Sequence, residues 1–459
     1  MSDHRPILTA AEMRSAEEAT IAAGTSVETL MERAGAAVAD VAWRVAGSAP
    51  ALVVCGPGNN GGDGYVVARL LAQRGAAVRV ACVEQPSGDA ARAAAAGWTG
   101  ETIALADAEP APLLIDALFG TGLSRPLGED AAVPLARLTD RAQHRIAIDV
   151  PSGVETDSGR LLGAVPRFDL TVALGALKPA HRLLPAAERC GRVVVADIGV
   201  AFLGSPCLHE IARPRLRRAA PDDSKYTRGK VLVVGGAMAG AALLAAGAAQ
   251  RAGAGYVELA GGEGGGAPHA LVRRGWSEQA LEDDRIGAVV IGPGLGRDSA
   301  ARARLEAALG CGRALVVDAD ALTLIGRSRH DRLKGAVITP HRGEFVRLFG
   351  DDGRDRLTQA RAAARASGAV LLLKGSDTIV AHPDGRAAIA RLAPAWLATA
   401  GTGDVLAGVI GALIAGGMAP FEAAQGAAWL HAEAARLAGP MLIADDLIAL
   451  LPLAVEACL

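Results

Sequence analysis

Short apolar runs that end in glycine or aspartate recur along this chain, and they constrain its fold more than any other feature. ALVVCGPG (51–58), AAVRVACV (76–83), LLIDAL (113–118), RIAIDV (145–150) and LTVALG (170–175) form one series. VLVVGG (231–236), GAVVIGPG (287–294), ALVVDAD (314–320), AVITP (336–340) and AVLLLKG (369–375) form a second. Most are separated by Ala- and Leu-rich stretches with helical spacing. Continuous apolar strands alternating with helices are the signature of βαβ units around a parallel sheet buried on both faces. Ahead of the first series, apolar positions from Met13 to Val38 recur at helical spacing, broken once at Gly24-Thr25.

Between the series, ARPRLRRAAPDDSKYTRGK (212–230) loses apolar periodicity and concentrates charge and proline. It reads as a solvated linker, and Arg213, Arg215, Arg217 and Arg218 within it could otherwise hold phosphate. The expected organisation is two α/β domains without internal repeat, residues 1–212 and 222–459. A chain of 459 residues has ample material for two cores. With 47 Lys plus Arg against 49 Asp plus Glu, its net charge of −2 gives no pull toward nucleic acid or membrane. The six cysteines are scattered without metal-ligand spacing, so buried thiols in the cytoplasm are expected.

In the first series, GPGNNGGDG (56–64) links a strand to a helix, where free backbone N–H groups suit a pyrophosphate, although its spacing fits the dinucleotide fingerprint only loosely. Two further strand ends, IDALFGTGLSRP (115–126) and IDVPSGVETDSG (148–159), each place an aspartate beside a Gly-rich turn. That position suits a ligand hydroxyl or a cation, or, for Asp149, the capping of a turn.

With LTAAEMRSAEE before them and TVALGALKPAH (171–181) after, these motifs resemble the NAD(P)H-hydrate epimerase family over roughly residues 8–205. That family interconverts the R and S epimers of NADH or NADPH hydrated at C6 of the reduced ring. The resemblance implies a Rossmann-like three-layer α/β/α domain. It also implies that Asn59, Asn60, Gly61, Gly62 and Asp63, with Gly120, Thr121, Gly122, Leu123, Ser124, Arg125 and Pro126, cradle the hydrate. Asn60, Asp116 and Ser152 would hold K⁺, and Asp149 would be catalytic, contacting the reacting end of the substrate.

The second series contains ATAGTGDVLAGVIGALI (398–414), in which Gly-Thr-Gly-Asp opens a long apolar helix. Backbone N–H groups of Gly401, Thr402 and Gly403 would form an anion hole, with Asp404 as an adjacent base. Phosphoryl transfer to an alcohol needs both. VVIGPGLG (289–296), VVDADAL (316–322), ITPHRGEF (338–345) and LLLKGSDTIV (371–380) bring polar residues to the same rim. Of Asp318 and Asp320, one is expected to cap a helix and the other to face the site. Lys374 is either a surface lysine or a phosphate contact.

This ordered set resembles the ADP- or ATP-dependent NAD(P)H-hydrate dehydratases over roughly residues 222–455, a family with a ribokinase-like fold. The resemblance implies that Lys374, Gly375, Ser376, Asp377 and Thr378, with the stretch Pro394–Gly403 including Ala400, Gly401, Thr402 and Gly403, bind the adenine nucleotide. Ala241, Gly294, Gly296, His341 and Asp404 would meet the hydrate, with Asp404 catalytic. The family reads Ala-Thr-Gly-Gly where this chain has Ala398-Thr399-Ala400-Gly401, so Ala400 adds a methyl near the nucleotide. The expected activity is therefore epimerisation of NADHX and NADPHX followed by dehydration of the S epimer, with ADP (or ATP) as co-substrate, Mg²⁺ on its phosphates, and a homo-oligomeric assembly. The alternative is a ribokinase-like kinase of a small alcohol such as a vitamin, fused to a nucleotide-binding domain.

Overall fold

A computed structural model describes residues 5–202, 207–262, 266 and 268–459. The chain folds as two compact units that divide at Pro206/Cys207.

The first unit runs α1 (Ala10–Ala22), α2 (Val27–Ala46), β1 (Ala51–Cys55), α3 (Asn59–Gln73), β2 (Val78–Cys82), α4 (Asp89–Ala96), β3 (Thr102–Ala104), β4 (Leu113–Ala117), α5 (Glu129–Arg141), β5 (His144–Ile148), β6 (Leu170–Leu174) and β7 (Arg192–Ala196). Its seven strands are all parallel, in the order β3-β2-β1-β4-β5-β6-β7. The interior strands β1 and β4 are buried at every position, as strands covered on both faces must be. Chain order reverses between β1 and β4. At such a switch the loops after adjacent strands diverge and leave a crevice at the carboxyl edge of the sheet.

The second unit runs β8 (Leu208–Glu210), β9 (Lys230–Val234), α6 (Ala239–Arg251), β10 (Tyr256–Ala260), β11 (Val272–Arg274), β12 (Ile286–Ile291), α7 (Ser299–Gly310), β13 (Leu315–Val317), α8 (Ala319–Ile325), β14 (Val337–Ile338), α9 (Arg342–Phe349), α10 (Arg356–Ser367), β15 (Val370–Leu373), β16 (Ile379–Ala381), β17 (Ala387–Ile389), α11 (Thr402–Ala415), α12 (Pro420–Ala438) and α13 (Ala444–Glu456). The sheet order is β11-β10-β9-β12-β13-β14-β15-β16-β17-β8, parallel from β11 to β15 and antiparallel through the β15-β16-β17 meander. Its reversal lies between β9 and β12. Helix α11 is buried on nearly every side, which accounts for its almost wholly apolar sequence.

Two expectations about organisation change. Residues 208–210, assigned to a first domain ending at 212, instead form β8 and pair in parallel with β17 at the edge of the second sheet. The stretch 212–230 is not a free linker either. Leu216 packs on the second core and donates its N–H to the Cys458 carbonyl at 3.0 Å. Arg217 pairs with Asp223 at 2.8 Å, and Arg218 Nε donates to the Leu459 carbonyl at 3.1 Å. Local hydropathy misses this because one leucine supplies the packing, and hydrogen bonds and an arginine ion pair supply the rest.

The strands outside the expected series have similar reasons. β3 and β7 are edge strands that keep polar or half-exposed positions. β10 carries Glu258 in mid-strand, fully buried but ion-paired with Lys230 at 2.8 Å and Arg274 at 2.6 Å. Among the described residues no helix is long and apolar enough to cross a membrane.

Candidate active sites

In the first unit a cavity of about 620 Å³ opens at the carboxyl edge of the sheet. Asn59, Asn60 and Asp63 line it from the first turn of α3, Gly120, Thr121, Gly122 and Leu123 from the loop after β4, and Asp149 from the end of β5. Arg14 and Glu17 of α1 close its other side. Gly61 and Gly62, expected to cradle the ligand, pack inward instead. A Cβ on Gly61 would lie 1.8 Å from the Gly56 carbonyl oxygen, and one on Gly62 2.6 Å from the Met31 sulfur. Ser124, Arg125 and Pro126 stand outside the cavity wall, exposed on the same loop.

Asp149 is held in a left-handed conformation, φ 64°, which a non-glycine residue keeps only when its neighbours fix it. It does not cap a turn. Its carboxylate accepts from the Leu174 N–H at 3.0 Å and from the ammonium of Lys178, which is 1% exposed and also donates to the Leu174 carbonyl at 2.7 Å. His181 braces the pair from behind: its Nδ1 accepts the Lys178 N–H at 2.9 Å, so Nε2 carries the proton and donates to the Asp149 carbonyl at 2.7 Å. Burial, aided by Lys178, pushes the imidazole down to about 3, so it stays neutral in this tautomer. Asp63 is raised well above the usual carboxylate range by burial and by Asp149 and Glu17; Glu17 is raised by the same kind of cause. Several carboxyl groups thus converge on one wall with Lys178 as a buried counter-charge. The quoted motif TVALGALKPAH contained Lys178 and His181, but nothing in their spacing marks them as partners of Asp149.

Behind that wall Asp116, fully buried, accepts from Ser152 N at 2.9 Å, Ser152 Oγ at 2.7 Å and Leu118 N at 3.2 Å. Ser152 Oγ in turn receives the Phe119 N–H at 2.9 Å. Asn60 reaches the same turn: a Cβ on Gly120 would lie 3.1 Å from its Oδ1, while its Nδ2 is buried with no hydrogen-bond partner. Burial pushes Asp116 up to about 6, and no cationic side chain pairs with it among the described residues. Asn60, Asp116 and Ser152 therefore meet at one turn as an oxygen-rich set with an uncompensated carboxylate. That donor chemistry fits a hard monovalent cation.

In the second unit the expected residues collect around the switch between β9 and β12 and the start of α11. Gly401, φ 86°, caps α11 without a side chain; a Cβ there would meet Leu244 Cδ1 at 2.6 Å. The first-turn N–H groups of α11 are thus left without a side-chain cap. His431 Nε2 donates to the Thr402 carbonyl at 2.9 Å, and the Thr402 hydroxyl reaches the Leu397 carbonyl at 2.9 Å, so the turn is held from below. Burial pushes His431 down to about 4, which keeps it neutral.

Asp404, in that first turn, is pushed up to about 7 by burial, then by the carboxylate of Asp318, with Lys374 acting in the opposite sense. Lys374 Nζ donates to Asp318 Oδ1 at 2.7 Å and lies 3.9 Å from Glu344 Oε2; a Cβ on Gly403 would be 3.2 Å from it. It is therefore the cation of this cluster and no ordinary surface lysine.

Asp318 occupies the cap position of α8 but makes no cap bond, and Asp320 accepts from Gly296 N at 3.0 Å and Arg297 Nε at 2.8 Å. Neither aspartate caps the helix. Ala241 packs beside Gly294, within 3.1 Å of where its Cβ would be. His341 caps α9 in a reciprocal box with Glu344 and stays 56% exposed at the rim.

A cavity of about 300 Å³ adjoins this cluster, lined by Lys374, Gly375, Ser376, Thr378, Pro394, Leu397, Thr402 and Gly403 among others. Asp377, expected to join them, is fully buried in an ion pair with Arg356, and Ala400 is exposed outside the cavity wall. Among the described residues no group of three or more His, Cys, Asp or Glu is placed to hold a metal ion.

Comparison with known proteins agrees with this division. Residues 27–180 match the family model described as YjeF-related protein N-terminus, and residues 231–447 the one described as NAD(P)H-hydrate dehydratase. The bifunctional NAD(P)H-hydrate repair enzyme Nnr of Salinibacter ruber is 36% identical, with 97% of this chain and 95% of the relative covered. The protein of the same name from Mycobacterium tuberculosis is 38% identical over 81% of this chain and 80% of its own. Among solved structures, a ribokinase-like superfamily protein from Enterococcus faecalis covers 56% of this chain and 98% of its own, at 23% identity and a TM-score of 0.47. The ADP/ATP-dependent NAD(P)H-hydrate dehydratase from Bacillus subtilis covers 53% and 95%, at 27% identity and a TM-score of 0.45.

Proposed function

Because the chain belongs to the family of bifunctional NAD(P)H-hydrate repair enzymes, we propose that its first unit interconverts the R and S hydrates of NADH and NADPH and its second unit dehydrates the S form at the expense of ADP. The observation that carries the second half is Asp404: a carboxyl group poised near neutrality, in the first turn of a helix whose N–H groups lack a side-chain cap, beside a cavity lined by Lys374, Ser376 and Thr378.

Hydroxide is a poor leaving group, so the hydroxyl is first phosphorylated. Asp404 takes the C6 hydroxyl proton as the oxygen attacks the β-phosphate of ADP, the P–O bond to AMP breaks, and the α11 N–H groups and Lys374 stabilise the transferred charge. The ring nitrogen's lone pair then expels phosphate from C6, and loss of the C5 proton restores the dihydropyridine. The net conversion is hydrate plus ADP to NAD(P)H, AMP, phosphate and a proton. Mg²⁺ travels with the nucleotide as part of the co-substrate, and ATP is an alternative donor.

In the first unit, Asp149 accepts the C6 hydroxyl proton while the N1–C6 bond opens, and that proton passes on to the ring nitrogen; buried Lys178 holds the carboxylate in place. Reclosure on the opposite face moves the proton from nitrogen back to oxygen. Asn60, Asp116 and Ser152 would hold K⁺, whose charge offsets the buried carboxylate and fixes the turn at 118–120. The unpaired cysteines support a reducing, cytoplasmic setting.

The test is the purified chain with a mixed R and S hydrate pool and MgADP, followed by recovery of reduced-cofactor absorbance. Complete recovery with one AMP and one phosphate per NADH is expected. Conversion of the S fraction alone would remove the epimerase assignment. Accumulation of a stable phosphorylated product would turn the second unit into a small-alcohol kinase.

A further inference from the structure

A second cavity in the C-terminal unit, about 230 Å³, lies apart from the cluster around Asp404 and serves no step described above. It is bordered by α9, α10, the loop between them and the short helical turn over Arg327–Leu333, and it opens to solvent. One wall is aromatic: Phe345 and Phe349 of α9 have ring centroids 5.3 Å apart, and His330 stacks on Phe349 at 5.5 Å with planes 28° apart. Ala362, Ala363 and Ala366 of α10 add small side chains to the lining. The volume suits a monocyclic ring with one substituent.

Two polar groups of this cavity make no polar protein contact. His330 Nδ1 is buried without a hydrogen bond, and Arg327, exposed at the mouth, has no hydrogen bond or ion pair among the described residues. The other charges on the wall compensate each other, since Arg354 pairs with Asp352. Gln359 is committed as well: its amide N–H groups go to Asp351 at 2.9 Å and the Arg354 carbonyl at 2.7 Å, and its oxygen accepts from Arg342 at 2.6 Å. What remains unmatched is one guanidinium and one imidazole nitrogen beside a stacked aromatic wall. A guanidinium matches a carboxylate in a planar fork, and a ring stacks on Phe and His faces.

We propose that this cavity is a binding site for a small planar aromatic carboxylate, held by Arg327 and His330 at its anionic end and by Phe345 and Phe349 along its ring. Occupancy reaches the catalytic cluster through α9. The helix that supplies the aromatic wall is capped by His341, and the capping partner Glu344 lies 3.9 Å from Lys374 Nζ. A ligand that steadies α9 therefore changes the setting of Lys374, and the effect is read in the KM for hydrate or nucleotide.

The test uses the full chain and benzoate as probe, with benzamide as the uncharged isostere, by titration calorimetry and by the dehydratase assay. Benzoate is expected to bind one site with a Kd of about 1 mM or tighter, and benzamide at least about tenfold more weakly. Arg327→Ala should weaken benzoate by about tenfold or more while leaving turnover without benzoate unchanged. Ala362→Phe, which fills the cavity from α10, should abolish the binding by another route. Absence of saturable binding, equal binding of benzamide, or undiminished binding in both variants would overturn the proposal; the last would place benzoate in another site. Binding without any change in KM would overturn the coupling through α9.

Discussion

Asp404 and Asp149 owe their chemistry to different surroundings. Burial and neighbouring carboxylates raise Asp404 to about 7, so its basic form is populated only as pH rises through neutrality. Dehydration should therefore increase with pH over roughly 6 to 8 and level off above, a profile read from kcat/KM on pure S hydrate with MgADP. Asp404→Asn should lower that rate by a factor of about 10² to 10⁴ while epimerisation persists, the usual worth of a positioned acid–base group. Near-normal turnover in the variant would remove Asp404 from the reaction. Asp149, by contrast, depends on position: its left-handed backbone is fixed through the His181 imidazole. His181→Ala should cut the epimerase kcat by about tenfold or more, with a smaller change in KM, because the carboxylate is misplaced while the cavity wall remains.

At the level of the elements, the turn after β4 and the start of α11 are the parts on which each site rests. The turn at 118–120 is pinned by Asp116 and Ser152, with Asn60 beside it, and the loop presents Gly120 and Thr121 to the cavity. Replacing Asp116 with Ala should weaken epimerisation, most through hydrate binding, while dehydration of S hydrate proceeds. The wild-type epimerase rate should rise with K⁺ at constant ionic strength set by Na⁺. A rate indifferent to K⁺ together with full activity in Asp116→Ala would reduce the aspartate to a turn carboxylate. At α11 the critical position is Gly401, whose φ of 86° and contact with Leu244 exclude a side chain. Ala400 next to it is exposed, so its methyl meets solvent.

The molecule as a whole divides at Pro206/Cys207, before the charged stretch that looks like a linker. A chain starting at residue 207 keeps β8 and the packing of Ile211 and Leu216; one starting near 220 loses all three. Burial of each such side chain is worth about 1.5–3 kcal/mol when complete, so the shorter C-terminal chain should melt at least about 5 °C lower. The longer one should keep dehydratase activity. Thermal melts of the two, with activity assays on 1–206 and 207–459, measure this directly; equal melting temperatures would mean that β8 contributes nothing.

The sequence by itself determined the α/β class, the two-unit plan, the interior strands and the Gly-rich strand ends, because each is written in contiguous residues. An apolar run flanked by glycine has few other solutions when both faces of a strand are buried. The same locality made Asp149, Asp116 and Asp404 visible as carboxylates at strand ends or helix starts.

Only the tertiary structure decided what depends on partners distant in the chain. It turned Lys178 and His181 toward Asp149, brought Lys374 to Asp318 across 56 positions, and buried Asp377 against Arg356 instead of leaving it to the nucleotide. It also packed Gly61 and Gly62 against Gly56 and Met31, and it carried Leu208–Glu210 to the edge of the second sheet. Charge pairing, close approach and edge pairing act through space at a few ångströms. The residues involved therefore leave no periodicity in the sequence from which they could be read.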